Sequence, residues 1–468
     1  MLLKDMADAA MRLQMEGVNT QNPDLVRQAQ DEFLKILNQL PDEPGILFQL
    51  GTSYLIQGYN GMAINLFRRA LGHDPANPAI HCNLGAAYKA EERNDDAERH
   101  LIIANTLHES SEYLNNMASL WVNRGHPERG IPFGEAALEL DPTCAKAAWN
   151  LSLLHLENGN YDRGFRLYTA GIDTGDRYVK RLKNEAGELL PMWDGTPGKR
   201  VVVYGEQGLG DEIMFASAIA DLAKDCESVV IDAHPRLESV FRRSFGDIPN
   251  VEAVYGERKK LESDWDSTHR FDAMVPIGNL FFHYRRDRPF PRTAYLKPCP
   301  ERTAYYRKQL EALGPPPYIG FSWEGGSKKT HTRFRSAKLG HFRELFARNA
   351  TFVSLQYTDV HEKIERFNEQ GTIIHEMLDA VTAFDYDETF ALVNALDSVI
   401  SVCTSVIHVC GAIGKECIIM TPFQRAWRYS ADRQMYQYGD WIKQVHKGEN
   451  EPWDEYAKRF LAMEEIGA

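Results

Sequence analysis

The stretch Leu50-Gly-Thr-Ser-Tyr54 returns 34 residues later as Leu84-Gly-Ala-Ala-Tyr88. The first copy continues with Ala63, Phe67, Ala70 and Pro75, the second with Ala97, Leu101 and Ala104. A third, less regular copy holds Met117, Ala118, Trp121, Gly130, Ala137 and Pro142, and a fourth Leu151, Ser152, His155, Gly164 and Tyr168. One step back, Gly17, Ala29, Phe33 and Pro41 mark a candidate first copy. A fixed period, with proline closing the second helix in several copies, predicts stacked helical hairpins, a spacing that a plain bundle has no reason to keep. Small residues at the Gly51 and Ala63 type of position let the two helices of a hairpin approach closely. The large residues are expected to fill the space between neighbouring hairpins.

The pattern resembles the tetratricopeptide repeat (TPR), which implies an α-solenoid over 1–178. Such a solenoid commonly holds a peptide or a partner protein on its concave face, and it can equally serve as a rigid support. The whole chain of 468 residues exceeds one core, and its 43% hydrophobic and 25% charged residues place it among folded globular proteins. A formal net charge of -13 disfavours nucleic acid as a partner. The seven scattered cysteines, with no CxxC pair, predict reduced thiols. The segment Met1–Gly17 has no long apolar run and no stretch reaches membrane-spanning length, so the expectation is a cytoplasmic protein without export signal or membrane span. Monomer and homo-oligomer both stay open.

Helical periodicity fades after Tyr178, and Pro191-Met-Trp-Asp-Gly-Thr-Pro-Gly198 is dense in turn residues. Beyond it short apolar runs alternate with helical stretches. Val201–Tyr204, Ser228–Ala233 and Val251–Tyr255 form one set of strands; Tyr318–Trp323, Thr351–Gln356, Thr372–His375, Ser398–Val402 and Cys417–Met420 form a second. The alternation predicts α/β architecture with parallel strands, in two Rossmann-like halves over 179–300 and 301–468 that face a cleft at the carboxyl ends of the strands.

Three stretches resemble bacterial proteins in which TPR repeats precede a glycosyltransferase domain similar to the lipopolysaccharide heptosyltransferases. They are Trp193-Asp-Gly-Thr-Pro-Gly-Lys-Arg200 with Glu206-Gln-Gly-Leu-Gly-Asp211; Gly320-Phe-Ser-Trp323 with Arg333-Phe-Arg-Ser336 and Ser354-Leu-Gln356; and Leu396-Asp397 through Thr404-Ser405, His408 and Gly411-Ala-Ile-Gly414. The resemblance implies a GT-B fold, a nucleotide-diphosphate sugar as donor substrate, inversion at the sugar carbon, and no metal or other cofactor. Asp211 matches the family's general base, with Glu206 as runner-up; the residues alone leave Asp211 equally open as a helix cap. Gln207, Gly208 and Gly210 form the acceptor-side loop. Trp323, Lys329, Arg335, Ser336, Gln356, Thr404, Ser405 and His408 are the implied donor-binding set. Arg335 and Lys329 belong to a cationic loop that also holds Lys328, His331 and Arg333, suited to a departing diphosphate, although charge runs are commonly just solvated. His408 has a satisfied core histidine as its alternative.

At one position the chain departs from the family: Cys403 stands where relatives carry Asp. Four other patterns weigh less. A dinucleotide fingerprint starting at Gly208 and Gly210 fails because Ile213 replaces its third glycine, despite Asp232 downstream. Asp385-Tyr-Asp387 reads as helix capping rather than a metal motif. Cys403, His408 and Cys410 read as packing residues. Trp427-Arg428-Tyr429 is expected to border the nucleotide, or to be an aromatic lid. The competing function is a non-catalytic scaffold with an idle α/β domain. Protein, glycan, lipid-linked glycan and modified base remain open as acceptors.

Overall fold

The computed structural model describes residues 3–183, 187–258, 260, 268–325, 335–429 and 435–463. The chain divides into two compact units, Met1–Leu154 and His155–Ala468.

The first unit is a TPR solenoid of antiparallel hairpins: α1 (Leu3–Asn19) with α2 (Pro23–Leu37), α3 (Pro44–Ile56) with α4 (Asn60–His73), α5 (Pro78–Ala90) with α6 (Asn94–Leu107), and α7 (Ser111–Arg124) with α8 (Pro127–Leu140). Helix starts are encoded locally. Asn77 accepts the N–H groups of Ala79 and Ile80 while Pro78 occupies the first helical position, and Asn22 with Pro23 repeats the device. The repeat glycines mark the closest approaches. A Cβ on Gly51 would lie 2.7 Å from the Phe67 ring, and one on Gly85 would lie 2.7 Å from Leu101 Cγ. Phe67 and Leu101 thus sit over the glycine of their own hairpin, a closer role than the gap between hairpins expected of them. The backward extension also closes, with Gly17 against Val26.

The helix α9 (Ala145–Glu157) runs across the division between units, and α10 (Tyr161–Leu167) belongs to the second unit. The division precedes the 178/179 boundary read from fading periodicity. Phe165, Tyr168 and Arg177 are fully buried within the second unit, Phe165 against Phe281 and Trp427 and Tyr168 against Phe215.

That unit is α/β, with two wholly parallel sheets. The first has the order β3-β2-β1-β4, from β1 (Arg200–Tyr204), β2 (Ser228–Asp232), β3 (Val251–Tyr255) and β4 (Ala273–Pro276). The second has the order β10-β9-β8-β5-β6-β7, from β5 (Tyr318–Ser322), β6 (Thr351–Ser354), β7 (Ile374–Glu376), β8 (Ser398–Val402), β9 (Cys417–Thr421) and β10 (Ile442–His446). Central strands such as β2 are buried along their whole length, as expected of parallel strands covered on both faces. One face of the second sheet packs on an aromatic cluster that includes Phe321, Phe342, Phe346, Phe352 and Phe460.

The two sheets are joined where the helix after β1, Leu209–Phe215, packs on the helix after β8, Ser405–Ile413. Gly210 makes this possible, since a Cβ there would lie 2.7 Å from His408 Cδ2. Tyr295 bonds to both helices, its hydroxyl to the Ile213 carbonyl at 2.8 Å and its N–H to the Ala412 carbonyl at 2.9 Å. Among the described residues no helix is long and apolar enough to cross a membrane.

Substitution at a packed repeat glycine should therefore differ from substitution at an open one. Gly51→Ala is expected to destabilise the solenoid by ~1–3 kcal/mol through overpacking on Phe67. Gly72→Ala, exposed near the end of α4 with nothing within 4 Å, is expected to be neutral or stabilising by up to ~1 kcal/mol through helix propensity. Chemical denaturation of the two variants measures the difference.

Candidate functional site

The loop after β1 is held by its backbone. Gly205 donates its N–H to the Asp232 carbonyl at 2.8 Å, and a Cβ there would lie 2.7 Å from the Glu212 carboxyl group. Gln207 takes a left-handed φ of 58°, which turns the chain into the next helix. Asp211 stands in that helix's first turn, where its Oδ2 accepts the Gly208 N–H at 3.3 Å. Both sequence readings of this residue are thus partly realised: the carboxylate caps, and it also lines a cleft of ≈ 360 Å³ between the carboxyl ends of the two sheets. Its Oδ1 forms an ion pair with Arg428, which follows β9.

The opposite wall is the start of the helix Ser405–Ile413. Thr404 occupies its N-cap position without a side-chain capping bond, and Thr404 and Ser405 line the cleft, so the partial positive charge of a helix start lies at this wall. Thr404 Oγ1 lies 3.2 Å from Ser401 Oγ, and Ser405 Oγ lies 2.7 Å from the Tyr386 hydroxyl. His408 Nδ1 is 2.8 Å from the Tyr438 hydroxyl, and burial lowers the imidazole to about 4, so the ring is neutral near pH 7. It lines the cleft and packs on Gly210 at once. Burial pushes the Cys403 thiol up to about 12, which keeps it uncharged.

Arg236, Arg335 and Arg428 line the cleft, against Asp211 as the one carboxylate among the described lining residues. Ser336 lies beside Arg335 and accepts the Gly325 N–H at 3.3 Å, closing the ends of the cationic loop. Lys329, with Lys328, His331 and Arg333, lies outside the described residues. Arg236 is anchored by the carbonyls of Ala383 and Phe384 at 3.0 Å each, and its guanidinium lies 4.9 Å from the Tyr386 ring centroid.

Five expected site residues, Glu206, Gln207, Trp323, Ser336 and Gln356, are not among those that line the cleft. Glu206 is fully buried; it accepts from Arg177 Nε at 2.9 Å and from the Gly278 N–H at 3.0 Å, with a second short bond from Arg177 Nη2. Trp323 is also fully buried and stacks on Phe321. Gln356, 2% exposed, spends its Oε1 on Ser322 Oγ at 2.6 Å and on the N–H groups of Trp323 and Glu324. It organises the loop after β5 from inside. Gln207 lines a second hollow of ≈ 570 Å³ beside Tyr204 and Arg258 rather than the first, and its Nε2 donates to the Tyr168 hydroxyl at 3.0 Å.

Arg236 and Tyr357 are cleft residues that sequence reasoning missed. A usable signal existed, because they follow β2 and β6 at their carboxyl ends, where ligands of parallel sheets bind. Asp385 and Asp387 go beyond capping. Asp385 accepts the Asp387 N–H at 3.1 Å, and both acids bond to Arg302, at 2.8 and 3.2 Å. From the helix Glu238–Phe245, Ser239 reaches Asp385 at 3.0 Å and Arg243 pairs with Asp387. Arg428 and Tyr429 border the cleft as expected, whereas Trp427 is buried against Phe165 and Phe215. Among the described residues no group of three His, Cys, Asp or Glu side chains is placed to hold a metal ion.

No family model matches this chain. It is similar to Protein FlbA of Caulobacter vibrioides, with 28% identity over 391 residues, 77% of this chain and 62% of the relative. The chain therefore spans less than two thirds of that relative's length, and the likeness extends beyond the solenoid into the α/β unit. Solved structures resemble the repeats. Pseudomonas aeruginosa pilF has 20% identity and a TM-score of 0.32, covering 36% of this chain and 78% of that one. A thermophilic TPR protein of Thermus thermophilus has 18% identity and a TM-score of 0.32, covering 36% and 92%. YrrB, described as a TPR protein with an unusual peptide-binding site, has 21% identity and a TM-score of 0.28, covering 36% and 84%.

Two consequences can be measured. Gly210→Val should drive the paired helices apart at His408 and destabilise the α/β unit by ~1–3 kcal/mol, read by thermal or chemical denaturation. The second concerns Glu212 and Asp232, which burial raises to about 7 each. Arg258 opposes the shift of Glu212, Glu206 and Asp211 reinforce it, and for Asp232 the Glu257 N–H and Lys180 oppose it. An acid raised in the folded state stabilises most below its unfolded value, near 4.5 for Glu212, and loses that contribution as pH climbs to about 7. Glu212→Gln should flatten the fall in stability across that window by ~1–3 kcal/mol, as measured by denaturation at fixed pH steps.

Proposed function

We propose that the α/β unit is a GT-B glycosyltransferase, similar in its motifs to the heptosyltransferases, that moves a sugar from a nucleotide-diphosphate donor to a hydroxyl acceptor with inversion. The observation that carries this reading is that, among the described residues, one carboxylate lines the first sheet's side of a cleft whose other side holds arginines and a helix start. A departing diphosphate gains negative charge as its bond to the anomeric carbon breaks. Arg335 and the N–H groups beyond Thr404 are fixed where that charge develops, so they favour the transition state over the ground state.

In the proposed step the acceptor oxygen attacks the anomeric carbon, its proton passes to Asp211, and the nucleoside diphosphate leaves with the bonding electron pair. Positive charge from arginine serves where other transferases use a metal ion. Glu206 takes no part, because its carboxylate is enclosed and paired with Arg177. The TPR repeats recruit or present the acceptor in this reading, as a protein-interaction module.

A second reading, an idle domain serving a TPR scaffold, draws on Cys403, which offers a neutral thiol where the resemblance implies an acid. Purified protein should release nucleoside diphosphate from at least one of the common uridine, guanosine, cytidine or thymidine diphosphate sugars. Asp211→Asn should lower that turnover by ~100- to 10,000-fold. Turnover unchanged in this variant would remove Asp211 from the chemistry, and nucleoside diphosphate binding with no turnover of any donor would favour the scaffold.

A further inference from the structure

Asp211 and Arg428 pair with each other at the wall of the cleft. Arg428 Nη2 forms the ion pair with Asp211 Oδ1, the Gly208 N–H donates to Oδ2, and the side chains keep only 20% and 15% of their exposure. A guanidinium held on the carboxylate competes with an attacking hydroxyl for the oxygen lone pairs that would take its proton. The same guanidinium borders the cleft that holds Arg335 and the start of the Ser405–Ile413 helix, where the diphosphate is placed. Guanidinium groups bind phosphate oxygens in a planar, bidentate fashion, and a dianionic diphosphate outweighs a single carboxylate as their partner.

We propose that Arg428 is a donor-responsive latch on Asp211: it pairs with the carboxylate across the cleft, and an arriving diphosphate draws it away, so that the base is freed as a donor takes its place. This rests on reading the cleft as a nucleotide-diphosphate site, and it adds an order to the reaction, donor before acceptor. Arg428 acts here through Asp211 and is a positioning residue for the base. The latch has a thermodynamic signature that needs no turnover, because carboxylate and diphosphate compete for one guanidinium and each must weaken the other's hold.

The test is calorimetric titration of the full chain with UDP, GDP, CDP and ADP at one ionic strength, using wild type, Asp211→Asn, Arg428→Gln and the double variant. Thermal melting of each checks that it is folded, and Arg428→Lys, which keeps the charge without the planar fork, stands in if Arg428→Gln does not fold. Asp211→Asn should tighten binding of the preferred diphosphate by ~3- to 10-fold when Arg428 is present, and by less than ~2-fold when it is replaced. An equal change in both backgrounds, or weaker binding in Asp211→Asn, overturns the latch while leaving the donor site standing. Absence of binding by all the proteins removes the donor site and the latch together.

Discussion

The contact on which the cleft depends is the approach of His408 to the bare Cα of Gly210. It allows the helices that follow β1 and β8 to lie against each other, although they belong to different sheets. Each helix starts at the carboxyl end of its strand, so packing them side by side places both starts, and the loops before them, around one hollow. Tyr295 fixes the pair by bonding to the Ile213 and Ala412 carbonyls. On another flank Arg243 and Arg302 share the carboxylates of Asp385 and Asp387, and Arg236 takes the carbonyls of Ala383 and Phe384. The cleft walls are therefore set by directional bonds as well as by apolar burial.

Polar groups behind the walls explain why so few charges face the ligand space. Glu206 is matched by Arg177, Gln356 is saturated by the loop after β5, and Glu212 lies against the His234 N–H at 2.6 Å and Arg258 at 3.3 Å. Each of these groups keeps a loop in shape and contributes little to the field in the cleft. Among the described residues that field comes from Asp211, three arginines and the start of one helix. His408 and Cys403, held neutral by burial, add no charge of their own to it.

Much of this arrangement was legible in the residues. The 34-residue period identified the solenoid because its glycines answer to a steric need that recurs in each hairpin, as Gly51 under Phe67 and Gly85 under Leu101 demonstrate. The central strands were legible because burial on both faces demands unbroken apolar runs. Of the edge strands, β3 and β7 were read, but β4 and β10 were not: β4 is only four residues and ends in Pro276, and β10 reads Ile-Lys-Gln-Val-His, with polar residues inside the run. The site was half legible for a related reason. Position at the end of a strand predicts that Asp211, Arg335 and Thr404 approach the cleft, but the partner that takes Glu206 inward, Arg177, lies 29 residues away and no local pattern announces it. For Trp323 and Gln356 the resemblance implies contact with the donor, yet both turn inward, and nothing in the local residues distinguishes an inward from an outward side chain at a strand end.

Cys403 connects the electrostatics to the choice of ligand. The cations acting on it are Arg335, Arg428 and Arg425, and none of them is offset by the thiol, which stays protonated up to about 12. An aspartate in its place would put a full negative charge among three guanidinium groups in a partly desolvated wall, where opposite charges interact far more strongly than in water. It would satisfy part of their positive charge before any ligand arrived, and it would offer Arg428 a second carboxylate besides Asp211. With a thiol instead, the wall that holds Arg335 and Arg428 keeps its positive charge, and Asp211 is the carboxylate among the described lining residues, paired with Arg428. The departure from the family pattern thus need not be read as a missing contact: it removes a charge that would otherwise share the same arginines.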